Sequence, residues 1–222
     1  MILDQTFYSE NTLVVARSLL GQKLTRGLQE TILTGIIVET EAYLGNADSA
    51  SHAYKGLTGR NAIMFGPAGF AYVYFIYGKH HMLNVVTGRR GEPGAVLIRA
   101  LLPLVGREHM EHNRAAHGHG LTDGPAKLCQ ALDIDKKLNG WNLTSGAKLW
   151  IESGVNIPEY AVITGPRIGI DYALPEHRMA PWRYRIDPDE MAKCLRQGNK
   201  KDGVDVVKGE RDSDKNISDR LT

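Results

Sequence analysis

Ile36-Ile37-Val38-Glu39-Thr40-Glu41-Ala42-Tyr43-Leu44-Gly45, followed by six small or polar residues and then His52, sets the terms on which the rest of the chain is read. β-Branched residues followed by alternation are a strand signature. Strand side chains alternate between faces with a period of two. Ile37, Glu39, Glu41 and Tyr43 therefore share one face, and Ile36, Val38, Thr40 and Ala42 the other. Two carboxylates and a phenol in line are unusual for a core. Gly45 ends the strand, and the loop after it delivers His52. Two readings fit this face: an edge strand with a wet surface, since charged residues are normally exposed, or an active site.

Working outward, Ser9 or Asn11 is placed to cap a helix whose apolar side comes from Leu13, Val14, Val15, Ala16, Leu19 and Leu20, with Gly21 as its left-handed close. Strands are predicted over Lys23–Arg26 and Thr31–Tyr43 with a turn at Gly27, and a long polar loop runs from Gly45 to Phe65. Phe70–Ile76 is a further strand, Tyr77-Gly78-Lys79-His80 a turn, and His81–Val86 its returning partner. Gly88–Gly94 turns again into an apolar strand, Ala95–Leu101. A helix is expected from Pro103 to about Ala116, and a second over Ala126–Leu132, opened by Asp123-Gly124-Pro125. Lys148–Glu152, Arg167–Ile170 and Arg183–Ile186 read as short late strands. The pattern predicts an α+β fold: one domain over residues 1–186, built on a curved, mostly antiparallel sheet with surrounding helices and a protruding β-hairpin. Residues 187–222 form a polar C-terminal tail, with a short helix at its start and disorder from Gly198.

At 222 residues and 42% hydrophobic composition the chain can bury a sizeable core. A net charge of +2 permits a nucleic-acid partner without requiring one. Two cysteines, Cys129 and Cys194, give neither a metal spacing nor a disulfide framework, which points to a reducing, cytoplasmic compartment. No apolar run approaches membrane-spanning length, and Met1–Gln5 lacks the marks of a signal peptide. His109 and His112, with His117 and His119, raise a metal-dependent hydrolase as an alternative, but the segment lacks the HExxH arrangement and any cysteine cluster.

The hairpin tip carries Tyr77 with Lys79, His80 and His81, an aromatic point flanked by candidate phosphate contacts. Tyr72 and Tyr74 share one face of their strand, where cross-strand packing and a binding role are both open. Asn84 falls mid-strand, where Asn is disfavoured. Arg99 interrupts Ala-Val-Leu-Ile-Arg-Ala-Leu, an otherwise buried run, and so demands a carboxylate or anion. Glu41 and Glu39 would serve equally well.

In order along the chain these pieces are Val38–Gly45 with Asp48 and His52, Arg60-Asn61 with Met64-Phe65, and Tyr72-Val73-Tyr74. Ile76-Tyr77-Gly78 with Asn84, Val96–Leu101, Gly124-Pro125 with Lys127–Leu132, and Pro166–Ile170 follow. As an ordered set, covering most of residues 1–186, they resemble the alkyladenine (3-methyladenine) DNA glycosylase family of base excision repair. The resemblance implies a monofunctional DNA-3-methyladenine glycosylase, likewise cytoplasmic and acting on the nucleoid, that needs no metal or other cofactor. Its partner would be double-stranded DNA containing damaged purines (3-methyladenine, 7-methylguanine, hypoxanthine, ethenoadenine). It would flip the purine out, hydrolyse the N-glycosidic bond and leave an abasic site. It also implies roles on the matching positions. Tyr77 would intercalate, and Tyr43 and Tyr74 would sandwich the base with His52 across from them. Tyr72 would line the pocket, and Asn84 would sit where guanine's amino group falls. Glu41 would deprotonate water that Arg99 helps to hold. The segment Gly106–His119, with Glu108 and Glu111, is less basic than the family's corresponding helix. A monomer is expected, for want of any coiled-coil pattern. The competing function is a non-catalytic binder of damaged or distorted nucleic acid, using the same hairpin and pocket.

Overall fold

The computed structural model describes residues 1–76, 78–115 and 120–201, with side chains up to residue 196. The chain runs α1 (Gln5–Tyr8), α2 (Thr12–Ser18), β1 (Lys23–Gly27), β2 (Ile32–Tyr43), β3 (Ala71–Ile76), β4 (His80–Thr87), β5 (Gly94–Val105), α3 (Arg107–Arg114), α4 (Pro125–Ala131), β6 (Leu149–Glu152), β7 (Val162–Gly165), α5 (Pro175–Met179), β8 (Arg183–Ile186) and α6 (Pro188–Lys201). The strands form one open antiparallel sheet in the order β3-β4-β5-β2-β1-β6, and β8 pairs with both β2 and β7. This is the α+β architecture that the hydrophobic pattern predicts.

β2 is the axis of the sheet. One edge pairs with β5 along nearly its whole length; the other pairs first with β1 and then, from Glu39 to Glu41, with β8. The wet-edge reading of Glu39 and Glu41 is therefore wrong: an interior strand has no solvent edge, and Glu41 is 0% exposed. Thr40, on the opposite face, donates to the Ala16 carbonyl at 2.7 Å and docks α2 on the sheet. Asn11, one of the two predicted caps, accepts from the Leu13 amide at 2.9 Å. The main core gathers Leu24, Leu33, Ile36, Ile37, Ile98 and Leu128 from both sides of this strand system.

Three predicted boundaries shift for physical reasons. β5 does not stop before Pro103 but continues to Val105, because the register slips between Thr34 and Gly35 opposite it, and a proline is tolerated beside such a bulge. The helix expected from Pro103 accordingly begins at Arg107 and ends at Arg114, where Ala115 takes a left-handed φ of 48°. Arg167–Ile170 is not a strand. Pro166 and the positive φ of Gly169 break extended pairing there, and the strand lies earlier, at Val162–Gly165. Beyond Asp187, α6 buries Met191 in the main core. Among the described residues no helix is long and apolar enough to cross a membrane.

Candidate active site

β2, β3, β4 and β5 meet the loop after β2 and the segment 168–172 around a cavity of about 240 Å³. Its lining includes Tyr43, His52, Tyr72, Tyr74, Asn84 and Arg99, six of the eight residues singled out from the sequence. Ile168, Gly169, Ile170 and Tyr172 complete the side formed by the late loop. Tyr77 lies outside the described residues, as do His117 and His119. Next to Tyr77, Gly78 adopts a φ of 68°, the left-handed turn geometry that glycine accepts without strain.

Glu41 stands behind the cavity wall rather than on it. Its Oε2 accepts from the Tyr43 hydroxyl at 2.9 Å. Its Oε1 accepts from the Ile168 amide at 2.8 Å and lies 3.3 Å from Arg99 NH1. Burial pushes its pKa above the ordinary glutamate value, while Arg99, the Ile168 amide and the Tyr43 hydroxyl pull it back toward ionisation. The sequence left Arg99 a choice of two carboxylates, and it takes both: its Nε is 3.2 Å from Glu39 Oε1. Glu39 also pairs with Arg183 Nε at 3.0 Å, so its carboxylate ties β2 to β5 and β8. The reason lies in the ladder. Glu39 is opposite Ala100 and Thr40 opposite Ile98, which leaves Arg99 as an extra residue at a bulge. A bulge re-aims the side chain it carries, and here the guanidinium reaches both acids.

The aromatic residues fall into two groups. His52, Tyr72 and Tyr74 pack together: His52 meets Tyr74 edge-on at 4.6 Å, and its Nδ1 is 2.8 Å from the Tyr72 hydroxyl. Burial, then the nearby Arg60, pull the His52 pKa down to about 4, so its imidazole is neutral at physiological pH. Asn61 fixes the loop that carries it, donating to the His52 and Gly56 carbonyls at 2.8 and 2.9 Å. Arg60 lies over the Tyr74 ring at 5.4 Å. Asn84, 3% exposed, is the cross-strand partner of Tyr72 and donates to its carbonyl at 3.2 Å.

Tyr43 belongs to the second group. Burial, followed by the charge of Glu41, holds its phenol well above the ordinary tyrosine pKa, so the hydroxyl remains a donor. Arg167 lies over the Tyr43 ring at 4.6 Å and over Trp182 at 4.9 Å. It forms a fork on Asp48, and both side chains are 0% exposed. No role for Arg167, Asp48 or the Ile168 amide was read from the sequence. The available signal was of the same kind as for Arg99: a lone arginine beside an apolar Ile-Gly-Ile needs a buried anion. Among the described residues no group of three or more His, Cys, Asp or Glu is placed to hold a metal ion.

Residues 6–190 match the model of the family described as methylpurine-DNA glycosylase (MPG). The chain belongs to the methylpurine-DNA glycosylase family. Membership makes it a DNA glycosylase, an enzyme of DNA repair. Similar proteins carry the provisional name 3-methyladenine DNA glycosylase. One from Carboxydothermus hydrogenoformans is 49% identical over 172 residues, covering 77% of this chain and 90% of the relative. One from Methanocella arvoryzae is 46% identical over 185 residues, covering 82% and 91%. A third, from Desulfitobacterium hafniense, is 43% identical over 200 residues, covering 85% and 96%. The family resemblance read from the ordered motifs is thereby borne out.

Proposed function

We propose that the chain removes N-alkylated and deaminated purines from duplex DNA by hydrolysis at Glu41. The lesions would include 3-methyladenine, 7-methylguanine, hypoxanthine and ethenoadenine. The observation that carries this reading is the state of the Glu41 carboxylate. An ionised carboxylate offers about four acceptor positions. Two are taken, by the Tyr43 hydroxyl and the Ile168 amide, while Arg99 lies 3.3 Å from Oε1 as an ion-pair partner. An acceptor position is left for a water whose proton it would take. Arg99 and Tyr43 both touch Glu41 and line the cavity, so a water on that wall would lie beside the base.

The cavity, at about 240 Å³, is smaller than the roughly 300–1,000 Å³ common for drug-sized ligands, which favours a single heteroaromatic ring system over a whole nucleotide. A base inside a duplex cannot reach such a site, so the nucleotide must rotate out of the stack. It would enter between Tyr43 on one side and the Tyr74–His52 group on the other. Tyr77 would fill the gap left in the duplex. Water oxygen then bonds to the sugar C1′, the C1′–N bond breaks, and its electron pair leaves with the purine. The water proton passes to Glu41, and an abasic sugar remains. Ionised Glu41 also stabilises the positive charge that builds on the sugar. A cationic alkylpurine departs without further protonation, whereas a neutral lesion such as hypoxanthine takes up a proton as it leaves; electron-rich rings attract the cationic bases by roughly 0.5–2 kcal/mol per contact. Asn84 would exclude the guanine amino group. The enzyme would act as a monomer in the cytoplasm.

The test is direct. The protein is incubated with duplexes carrying one hypoxanthine, ethenoadenine or 7-methylguanine, and abasic sites are then cleaved with alkali. Strand breaks at the lesion are expected. Tight lesion binding with no breaks on any of the three would leave a non-catalytic binder of damaged DNA instead.

A further inference from the structure

Both oxygens of Glu41 are held, and both holds lead back to one residue. Oε2 is held by the hydroxyl of Tyr43, whose ring lies against the Arg167 guanidinium at 4.6 Å. Oε1 is held by the amide of Ile168, the next residue after Arg167. Arg167 NH1 also donates at 2.8 Å to the carbonyl of Ala42, the residue between Glu41 and Tyr43. Its NH2 donates to Asp48 Oδ1 at 2.8 Å and to the His177 carbonyl at 3.2 Å. Asp48 is itself fixed by the amides of Leu44 at 3.1 Å and Ala50 at 3.0 Å. One planar cation thus joins the end of β2, the loop after it and the late loop that closes the cavity.

We propose that Arg167, locked in place by Asp48, is a positioning residue for base release: it sets the Tyr43 hydroxyl and the Ile168 amide on the two oxygens of Glu41. The proposal rests on Glu41 acting as the general base. A buried ion pair is a weak device for stability alone, since well-packed apolar residues often do as well or better. A planar fork with a flat face does what apolar packing cannot. It holds a ring and a peptide within the few tenths of an ångström that a catalytic hydrogen bond tolerates. Lysine has the charge but neither the fork nor the face.

The deciding experiment is the pH profile of single-turnover base release from a hypoxanthine duplex, with Arg167→Lys beside the wild type. Loosening the two hydrogen bonds that favour ionised Glu41 raises its pKa. The acid limb of the profile is therefore expected to move up by roughly half a unit to one unit. The plateau rate is expected to fall roughly 10- to 100-fold, the scale of a small misplacement of a catalytic group. Affinity for an abasic-site analogue is expected to stay within a few-fold.

A pin that merely holds the loops would lower the rate with the folded fraction and leave the limb where it was; that result overturns the proposal. Asp48→Asn keeps the volume and one acceptor, and a folded Asp48→Asn protein with an unmoved limb overturns it equally. Tyr43→Phe deletes a single hydroxyl and needs no new packing. Its limb is expected to move in the same direction, and an unmoved limb refutes the proposal even if neither other variant folds. Combined with Arg167→Lys, its shift is expected to be less than the sum of the two, because they act through one contact. A wild type that releases no base refutes the general-base reading and this proposal with it. A working wild type beside variants with unmoved limbs refutes this proposal alone.

Discussion

Glu41→Gln separates chemistry from binding more sharply than any other change at this site. Glutamine has the shape of the carboxylate, and its carbonyl can keep the Ile168 amide that now donates at 2.8 Å. Its amide nitrogen meets the Tyr43 hydroxyl, which can turn to accept. Arg99 keeps its contact with Glu39 at 3.2 Å, so no buried guanidinium is orphaned. What disappears, on the proposed reading, is the ability to take a proton, worth about 10²–10⁴-fold, and the negative charge that would stabilise the developing sugar cation. A loss of at least about 10³-fold in single-turnover rate is expected, equivalent to about 4 kcal/mol in the barrier. The assay is base release from a hypoxanthine duplex under enzyme excess, run beside affinity for an abasic-site analogue, which is expected to be preserved. Glu39→Gln is the internal control. It weakens the junction between Arg99 and Arg183, and its cost belongs to stability, roughly 1–3 kcal/mol for a partly buried pair, with turnover within about tenfold of wild type. A wild-type rate for Glu41→Gln would refute the assignment. Binding lost in step with rate would show that Glu41 positions rather than reacts.

The remaining expectations concern charge, selectivity and the hairpin. The Glu41 pKa is raised by burial, so its ionised form weighs against folding: that component of stability is present below the ordinary glutamate pKa and is lost as pH rises through the raised one. Glu41→Gln is therefore expected to melt above wild type at pH 8, with the gap closing toward pH 4; a gap that widens in acid would contradict the sign. Since His52 titrates near pH 4, base release should show no inflection near pH 6.5, and one that vanished in His52→Asn would overturn its neutral state. Asn84→Ala removes the buried amide that touches Tyr72 and is expected to let undamaged guanine be released at a rate above wild type, while an unchanged guanine-to-hypoxanthine ratio in a folded variant would count against exclusion. Tyr77→Ala is expected to weaken binding to lesion duplex more than to undamaged duplex, by up to about 1–3 kcal/mol of stacking, and equal losses in a titration of both would remove the wedge role.

How far the sequence could be read is decided by where the period of two holds. Along Ile36–Tyr43 it holds well enough to put Glu39, Glu41 and Tyr43 on one face, and the hairpin β3–β4 pairs as its residues predict, Tyr72 against Asn84. The same rule cannot say what lies opposite, because each strand sees only its own alternation. The bulge at Arg99 is a property of the pair β2–β5 and of neither strand alone. Yet the bulge is what turns two equivalent acids into unlike ones. By adding one residue between Ala100 and Ile98 it brings a single guanidinium to both carboxylates, Nε on Glu39 and NH1 on Glu41. Glu39 then has Arg183 as a second cation and stays 19% exposed at its side chain, a neutralised tie between strands. Among the described residues Glu41 has no second cation; it is wholly buried, and faces Tyr43 and a backbone amide from a loop 127 residues away. Asp48 and Arg167, 119 residues apart, escape a reading of local pattern for the same reason. A carboxylate with one shared cation, two neutral donors and little solvent is poised to accept a proton, whereas one held between two arginines is not. The difference between a structural acid and the base proposed here therefore arises in the pairing of strands and loops, one level above the residue pattern that first put the two side by side.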